Sequence, residues 1–316
     1  MKFRNFPIHL GLIHLSLAIS LFFLISLGWF LPTYIYRYFT IAFMFSCLAL
    51  SWDILGGYSG YLSFGHMSFF GVGAYTTAIL LTTLGISPLI TVPLGAFISG
   101  LLGVVSLSVF IRLEEAYFAI ATLALNFSLQ SLATVLEITG GARGISTPLL
   151  PFSPITLYII FLSSFLVITM VLLSMRYKIE NSRIGYAMLA LREDKTVAEC
   201  LGINTLRMKL IAMFISCFFT GLVGSMYPLF ATFIDPTIGF SVDWSVLLVV
   251  MCICGGTGIW WGPLLGAFIL HSVRELFTYT LPIPQLSLAI IGITFVILIL
   301  FFPQGIGGQI AYKRRS

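Results

Sequence analysis

The chain has 316 residues, of which 59% are hydrophobic and only 9% charged, and its mean hydropathy is +1.07. Soluble domains carry roughly 25% charged residues, so this composition excludes a water-exposed globular surface and leaves an integral membrane protein. The formal net charge of +5 is small beside that hydrophobic mass and informs only through where it falls.

Taken in chain order, Lys2 and Arg4 precede an apolar run over 10–31. It is longer than a signal-peptide core of roughly 7–15 residues, and Pro32-Thr33-Tyr34 offers no small-residue cleavage site, so it reads as a first membrane helix. A spanning helix needs about 20 mostly apolar residues, because every backbone polar group must be satisfied internally in hydrocarbon. Nine further segments meet that description: 38–55, 67–84, 89–111, 117–136, 155–175, 209–229, 243–254, 262–281 and 286–302. The eighth span is short and is expected to end at Gly255-Gly256. The predicted fold is all-α, a polytopic membrane bundle of about ten helices forming one domain over 1–316.

Alternating the connections between two sides orients the bundle. With the N-terminus inside, Lys2, Arg4, Arg112, Arg176, Lys178, Arg183, Arg192, Lys195, Arg207, Lys209, Lys313, Arg314 and Arg315 are cytoplasmic, against Arg37, Arg143 and Arg274 outside. This follows the positive-inside rule and places both termini in the cytoplasm. Most connections are short. The exceptions are an outer loop over 137–154, rich in Gly, Pro and Thr, and a charged cytoplasmic loop over 176–208.

Four of the five cysteines, Cys47, Cys217, Cys252 and Cys254, lie in apolar runs, with Cys200 in the charged loop. No disulfide framework follows. Cys252 and Cys254 have no Cys or His partner at metal-ligand spacing, so packing between helices is the expected role and no metal or other cofactor is expected on this chain. No nucleic-acid partner is expected.

The block from Gly56 to Tyr75 contains Gly56, Gly57, Gly60, Gly65, Gly71 and Gly73 together with Ser59, Ser63, His66 and Ser68. Two readings stand side by side: close helix packing, and a broken helix lining a substrate route, where irregular backbone is tolerated at membrane depth. His66 accordingly is either a structural hydrogen-bonding residue or a pathway residue. In the fifth span Thr122, Asn126 and Gln130 recur every four residues on one face, which suits a helix-to-helix hydrogen-bond stripe and a cavity lining equally. Trp260 and Trp261 fit the interfacial aromatic belt, and Gly262-Pro263 marks a helix start. Asp53, Asp243, Arg274 and Glu275 fall near predicted helix ends and read as anchors or inter-helix partners.

Within the charged loop, Ile184, Ala187, Met188 and Leu191 form an apolar stripe at helical spacing. Asp194 is placed to cap a second short helix carrying Val197, Ala198 and Leu201, which Gly202 ends. An amphipathic linker on lipid headgroups is one reading. The small Ala and Gly side chains favour docking into a groove of a partner.

The run Ala190-Leu-Arg-Glu-Asp-Lys-Thr-Val-Ala-Glu-Cys-Leu-Gly-Ile-Asn204 resembles the coupling segment of the M-type permeases of branched-chain amino-acid ABC importers. Three further blocks agree in order, Gly56 to Tyr75, Thr139 to Ile145 and Gly255 to Ala267, and with Pro303-Gln-Gly305 the resemblance covers roughly 40–308. It implies a subunit that moves branched-chain or other neutral amino acids, in a bacterial inner membrane, without being an enzyme. It also implies an H-type permease partner, two cytoplasmic ATPases that use ATP and Mg, an extracytoplasmic solute-binding protein and surrounding lipid. The coupling residues implied are Gly185, Ala187, Ala190, Arg192, Glu193, Asp194, Ala198, Leu201 and Gly202, and Thr139 to Ile145 faces the binding protein or forms a plain surface turn. The pathway candidates are Ser59, Ser63, His66, Thr122, Asn126 and Gln130.

No phosphate-binding Gly-rich loop ending in Lys-Ser or Lys-Thr is present, so the chain must borrow its energy. Urea and short-chain amide permeases are similar throughout and form the close alternative; Cys254 to Pro263 resembles the amino-acid branch more. An ion-coupled carrier would bury carboxylates or a histidine chain at mid-membrane, and a membrane enzyme would show a catalytic constellation. Neither is visible.

Overall fold

The computed structural model describes residues 32–110, 113–280, 292 and 305–313. Over these the protein is helical: α1 (Thr33–Ser59), α2 (His66–Leu84), α3 (Pro88–Phe110), α4 (Glu115–Val135), α5 (Pro154–Glu180), α6 (Arg183–Glu193), α7 (Lys195–Cys200), α8 (Thr205–Ala231), α9 (Pro236–Gly239), α10 (Val242–Gly255), α11 (Gly262–Thr280) and α12 (Gly305–Lys313). Seven described segments are long and apolar enough to cross a membrane, the seventh being α9 and α10 together over Pro236–Gly255. The protein is therefore a multi-pass α-helical membrane protein. The expected spans 10–31 and 286–302 lie outside the described residues. The 262–281 span exists as helix α11, which includes Arg274 and Glu275 and is not among the seven.

Local chemistry sets the helix boundaries. Ser153, Ser182, Asp194, Asn204, Asp235 and Ser241 each accept a backbone N–H at the start of α5 to α10; such caps are worth about 1 kcal/mol apiece. Helix α1 ends at Gly60 in the left-handed region, and α10 ends at the Gly255-Gly256 pair, as its sequence foretold.

Helices α2, α3 and α8 form the tightest part of the bundle, and small residues make this possible. A Cβ on Gly73 would stand 2.2 Å from the Gly221 carbonyl, and one on Gly224 2.1 Å from that of Phe70. Without a hydrophobic force between helices in lipid, such backbone approach supplies the packing energy. Helix α1, more buried than any other span, packs on α5, α8, α10 and α11.

Six glycines were expected to interrupt the Gly56–Tyr75 stretch. Only the segment 60–65 is irregular; Gly56 and Gly57 continue α1, and Gly71 and Gly73 sit inside α2 as packing positions. The charged loop is shorter than 176–208, because α5 runs on to Glu180 and α8 begins at Thr205.

The two ends of the bundle differ. At one end, β1 (Ile145–Ser146) pairs antiparallel with β2 (Phe233–Ile234). At the other lie α6 and α7, the break at 60–65, the turn between α10 and α11, and α12, whose Gly307 abuts the Gly255 carbonyl.

Candidate functional site

Five of the six pathway candidates are buried, and three of them, Ser63, His66 and Thr122, make hydrogen bonds that brace the 60–65 break. Trp52 Nε1 donates to the Ser63 carbonyl at 2.7 Å, and the Phe64 amide donates to Thr122 Oγ1 at 3.2 Å. Ser216 Oγ donates to the Ser51 carbonyl at 2.6 Å, so it accepts from His66 Nε2 at 2.7 Å. Ser63 Oγ accepts from the Gly65 amide at 3.3 Å and donates to His66 Nδ1 at 3.1 Å. This network assigns the proton of a neutral imidazole to Nε2. Ser59 bonds within its own helix, to the Leu55 carbonyl at 2.6 Å.

Asn126 reaches a second irregularity. Its Nδ2 donates to the Phe240 carbonyl at 2.8 Å, in the joint between α9 and α10, while its Oδ1 accepts from Ser68 at 3.1 Å. Asn126 lies midway along α4, so this joint lies deep within the bundle and α10 is half of a broken span. Just beyond it, Asp243 in the first turn of α10 is exposed and has no hydrogen-bond or ion-pair partner among the described residues. Gln130, one turn beyond Asn126 on α4, is half-buried. From sequence Asp243 reads as an anchor or an inter-helix partner near a helix end; it does lie in the first turn of α10, and only the tertiary structure shows that this turn adjoins the joint.

The α6–α7 elbow splits the expected coupling residues into two groups. Gly185 and Ala198, with Met188 and Leu191 of the apolar stripe, turn toward the bundle, and a Cβ on Gly185 would stand 1.9 Å from the Ile179 carbonyl. Glu193, Asp194, Leu201 and Gly202 face outward, joined by Ile184, Tyr186 and Val197, with Leu201 70% exposed. Ala187 and Ala190 are half-buried. Asp194 caps α7 as expected, and the backbone amides of Val197 and Thr196 hold its carboxyl below the usual carboxylate range. The expected apolar stripe is therefore mostly an internal seam, and Ile184 departs from it to the outside.

Arg192, expected among the coupling residues, is exposed along its length but lays its guanidinium against the bundle: Nη1 donates to the Gly57 carbonyl at 2.7 Å. Behind it is an ion pair that the charge count over loops missed. Asp53 and Arg176, both 0% exposed, bind each other directly. The Gly258 amide donates to Asp53 Oδ2 at 3.0 Å, and Arg176 Nη2 donates to the Ile259 carbonyl at 2.9 Å. Lys209, 2% exposed, bonds the Tyr61 hydroxyl and lies 4.2 Å from that ring's centroid. Arg176 and Lys209 are thus not solvated loop charges. A helical apolar run ending in Arg176, set against the lone Asp53 of an apolar helix, was the available signal. Among the described residues no group of three His, Cys, Asp or Glu could hold a metal ion.

Trp260 is buried and meets Tyr177 edge-on at 5.8 Å between centroids, so it packs inside the protein rather than in an interfacial belt. In the loop between α4 and α5, Thr139 Oγ1 donates to the Ala133 carbonyl at 2.6 Å, and Gly140, Gly141 and Gly144 all have positive φ. This block is a built turn.

A multi-pass helical bundle with two broken spans, buried polar braces and a capped helical elbow at one end has the form of a membrane transport subunit. A family profile for the permease component of branched-chain amino acid transport systems matches residues 34–299, and the chain belongs to that family. It is similar to the high-affinity branched-chain amino acid transport system permease protein LivM of Salmonella typhimurium, 27% identical over 84% of this chain and 68% of the relative. LivM of Escherichia coli is 26% identical over the same shares. A probable branched-chain amino acid transport permease protein LivH of Methanocaldococcus jannaschii is 27% identical over 69% of this chain and 72% of its own. No solved structure matches the chain. Its relatives are transport permeases, and the chain is a permease component, not an enzyme.

Proposed function

We propose that this chain is the M-type half of the translocation pathway of an ABC importer for branched-chain or other neutral amino acids, in a bacterial inner membrane. It pairs with an H-type permease, is driven by two cytoplasmic ATPases that consume ATP and Mg, and receives solute from an extracytoplasmic binding protein. Ten spans with both termini cytoplasmic put the α6–α7 elbow inside and the β1–β2 end outside, in accord with the positive-inside rule.

The observation that carries this reading is the elbow. Its inner seam is fixed to the bundle, while its outer surface offers Ile184, Tyr186, Val197 and Leu201 around the acidic pair Glu193 and Asp194. A helix lying in lipid headgroups presents an excess of basic residues beside its apolar face; here Arg183, Arg192 and Lys195 are balanced by Glu193, Asp194 and Glu199, which suits a protein groove better than anionic lipid. The solute path runs past the α9–α10 joint, where the unpaired carboxylate of Asp243 needs water or a polar neighbour at membrane depth. The buried His66 cluster shapes the route without lining it.

The test is charge reversal at the rim. Glu193→Lys with Asp194→Lys should abolish binding-protein-dependent stimulation of the ATPases, with the permease still inserted in the membrane. Coupled, ATP-dependent uptake at the normal rate by that variant would refute the docking role.

A further inference from the structure

The two glycine-rich irregular segments at the cytoplasmic end are gripped by arginines from two different helices. We propose that Arg192 is a positioning residue for transport: with Arg176 and Asp53 it forms a clamp that transmits movement of the docking helix α6 to the break at 60–65 and the turn at 256–261, which together close the cytoplasmic mouth. This rests on the docking role of the elbow.

The grip on the 256–261 turn is double. Asp53 accepts from its Gly258 amide at 3.0 Å, and Arg176, paired to Asp53, donates to its Ile259 carbonyl at 2.9 Å. Donor and acceptor of adjacent residues are held by one ion pair, so the turn and the ends of α1 and α5 move as one body.

Arg192 joins that body to α6. Its Nη1 donates to the Gly57 carbonyl at 2.7 Å, in the last turns of α1. A Cβ on Gly258 would lie 3.0 Å from the same Nη1 and 3.2 Å from the Gly57 oxygen, and a Cβ on Gly60 would lie 3.1 Å from Arg192 Cγ. Both glycines have positive φ, +77° and +80°. The side chain of Arg192 therefore threads between the two irregular segments, and each is glycine where it touches the arginine.

Helix α6 has the stiffness the role needs. It is 11 residues long, about 16 Å at 1.5 Å per residue. Its first turn is seated by Gly185 on the Ile179 carbonyl, and its last by Arg192 on Gly57. A push on its outward face is delivered at two points, to the end of α5 and to the end of α1.

Arg176 also lies over the Tyr58 ring, its Cζ 5.4 Å from the centroid, so the last turns of α1 are gripped by side-chain packing as well as by the ion pair.

The experiment uses the complete importer in proteoliposomes, with partner permease, ATPases and binding protein, and reads ATP hydrolysed per solute imported together with ATPase co-purification. Arg192→Gln should raise that ratio about tenfold, within the usual range of coupling between sites, with the ATPases still bound. Arg192→Lys keeps one donor and the charge without the planar fork, and should recover part of the coupling. Gly258→Ala, which pushes on the guanidinium from the other side, should uncouple as well and serves if Arg192→Gln does not accumulate. Arg183→Gln, at the opposite end of α6, should leave the ratio unchanged. An unchanged ratio in both Arg192→Gln and Gly258→Ala, or loss of the ATPases from Arg192→Gln, overturns the clamp. Glu193→Lys with Asp194→Lys separates the two ideas: full ATPase binding and coupled uptake in that variant would defeat the docking reading itself, whatever Arg192 does.

Discussion

The β1–β2 end of this bundle is closed by backbone and the elbow end by side-chain charge. At the first, β1 pairs with β2, the Thr147 amide donates to the Thr232 carbonyl at 3.0 Å, and Gly140, Gly141 and Gly144 fold a fixed turn. At the second, the irregular segments are held by Asp53, Arg176, Arg192 and Lys209. Backbone pairing of this kind is short-ranged and tied to the local chain path, whereas a long charged side chain can keep or exchange its acceptor as a helix shifts. On the proposed coupling role, the elbow end holds the moving parts and the β1–β2 end the fixed frame.

The largest effect should come from breaking the buried ion pair. Removing one partner leaves an uncompensated buried charge, which costs about 3–5 kcal/mol, while replacing both with apolar groups is often neutral. Arg176→Met should therefore lower the thermal stability of the purified permease steeply, and Asp53→Leu with Arg176→Met should recover most of the loss. Equal damage in single and double variants would mean that the pair does not act as a unit.

A smaller effect sharpens the contrast at the β1–β2 end. Gly144 has φ +74°, and a Cβ there would sit 2.3 Å from the Ile234 carbonyl. Gly144→Ala should cost about 1–3 kcal/mol through strain and lower the melting temperature. Because this end is frame and not clamp, the ATP used per solute should stay at the wild-type value; a raised ratio would erase the distinction between the ends.

Much of this was legible in the sequence, for identifiable reasons. Local rules placed the Asp194 cap, the Gly255-Gly256 stop and the start at Gly262, because each depends on residues within one helical turn. Hydropathy found the seven spans of the described residues but clipped α5 at 175, since Arg176 looked like a loop charge until Asp53 was set beside it, 123 positions away. The glycines of 56–73 read alike in sequence, yet only tertiary contacts with Phe240, α8 and the Thr122 carbonyl separate Gly71, Gly73 and Gly65, which pack, from Gly60, which turns the chain at φ +80°. The same holds for Thr122 and Asn126: their common face was evident, and their acceptors and donors on the two broken segments were not. Arg192 illustrates the limit most plainly, because helical periodicity places it at the edge of the elbow and only the position of Gly57 decides which way it reaches.

The central claim is that the α6–α7 elbow meets an ATPase, and the protein carries a natural probe for it. Cys200, at the end of α7, is the one exposed cysteine of the five; Cys47, Cys217, Cys252 and Cys254 are buried. A photo-cross-linker attached to Cys200 in the assembled importer should join this chain to an ATPase subunit, with a yield that changes when ATP is added. Adducts with lipid alone, and none with the ATPases, would contradict the account.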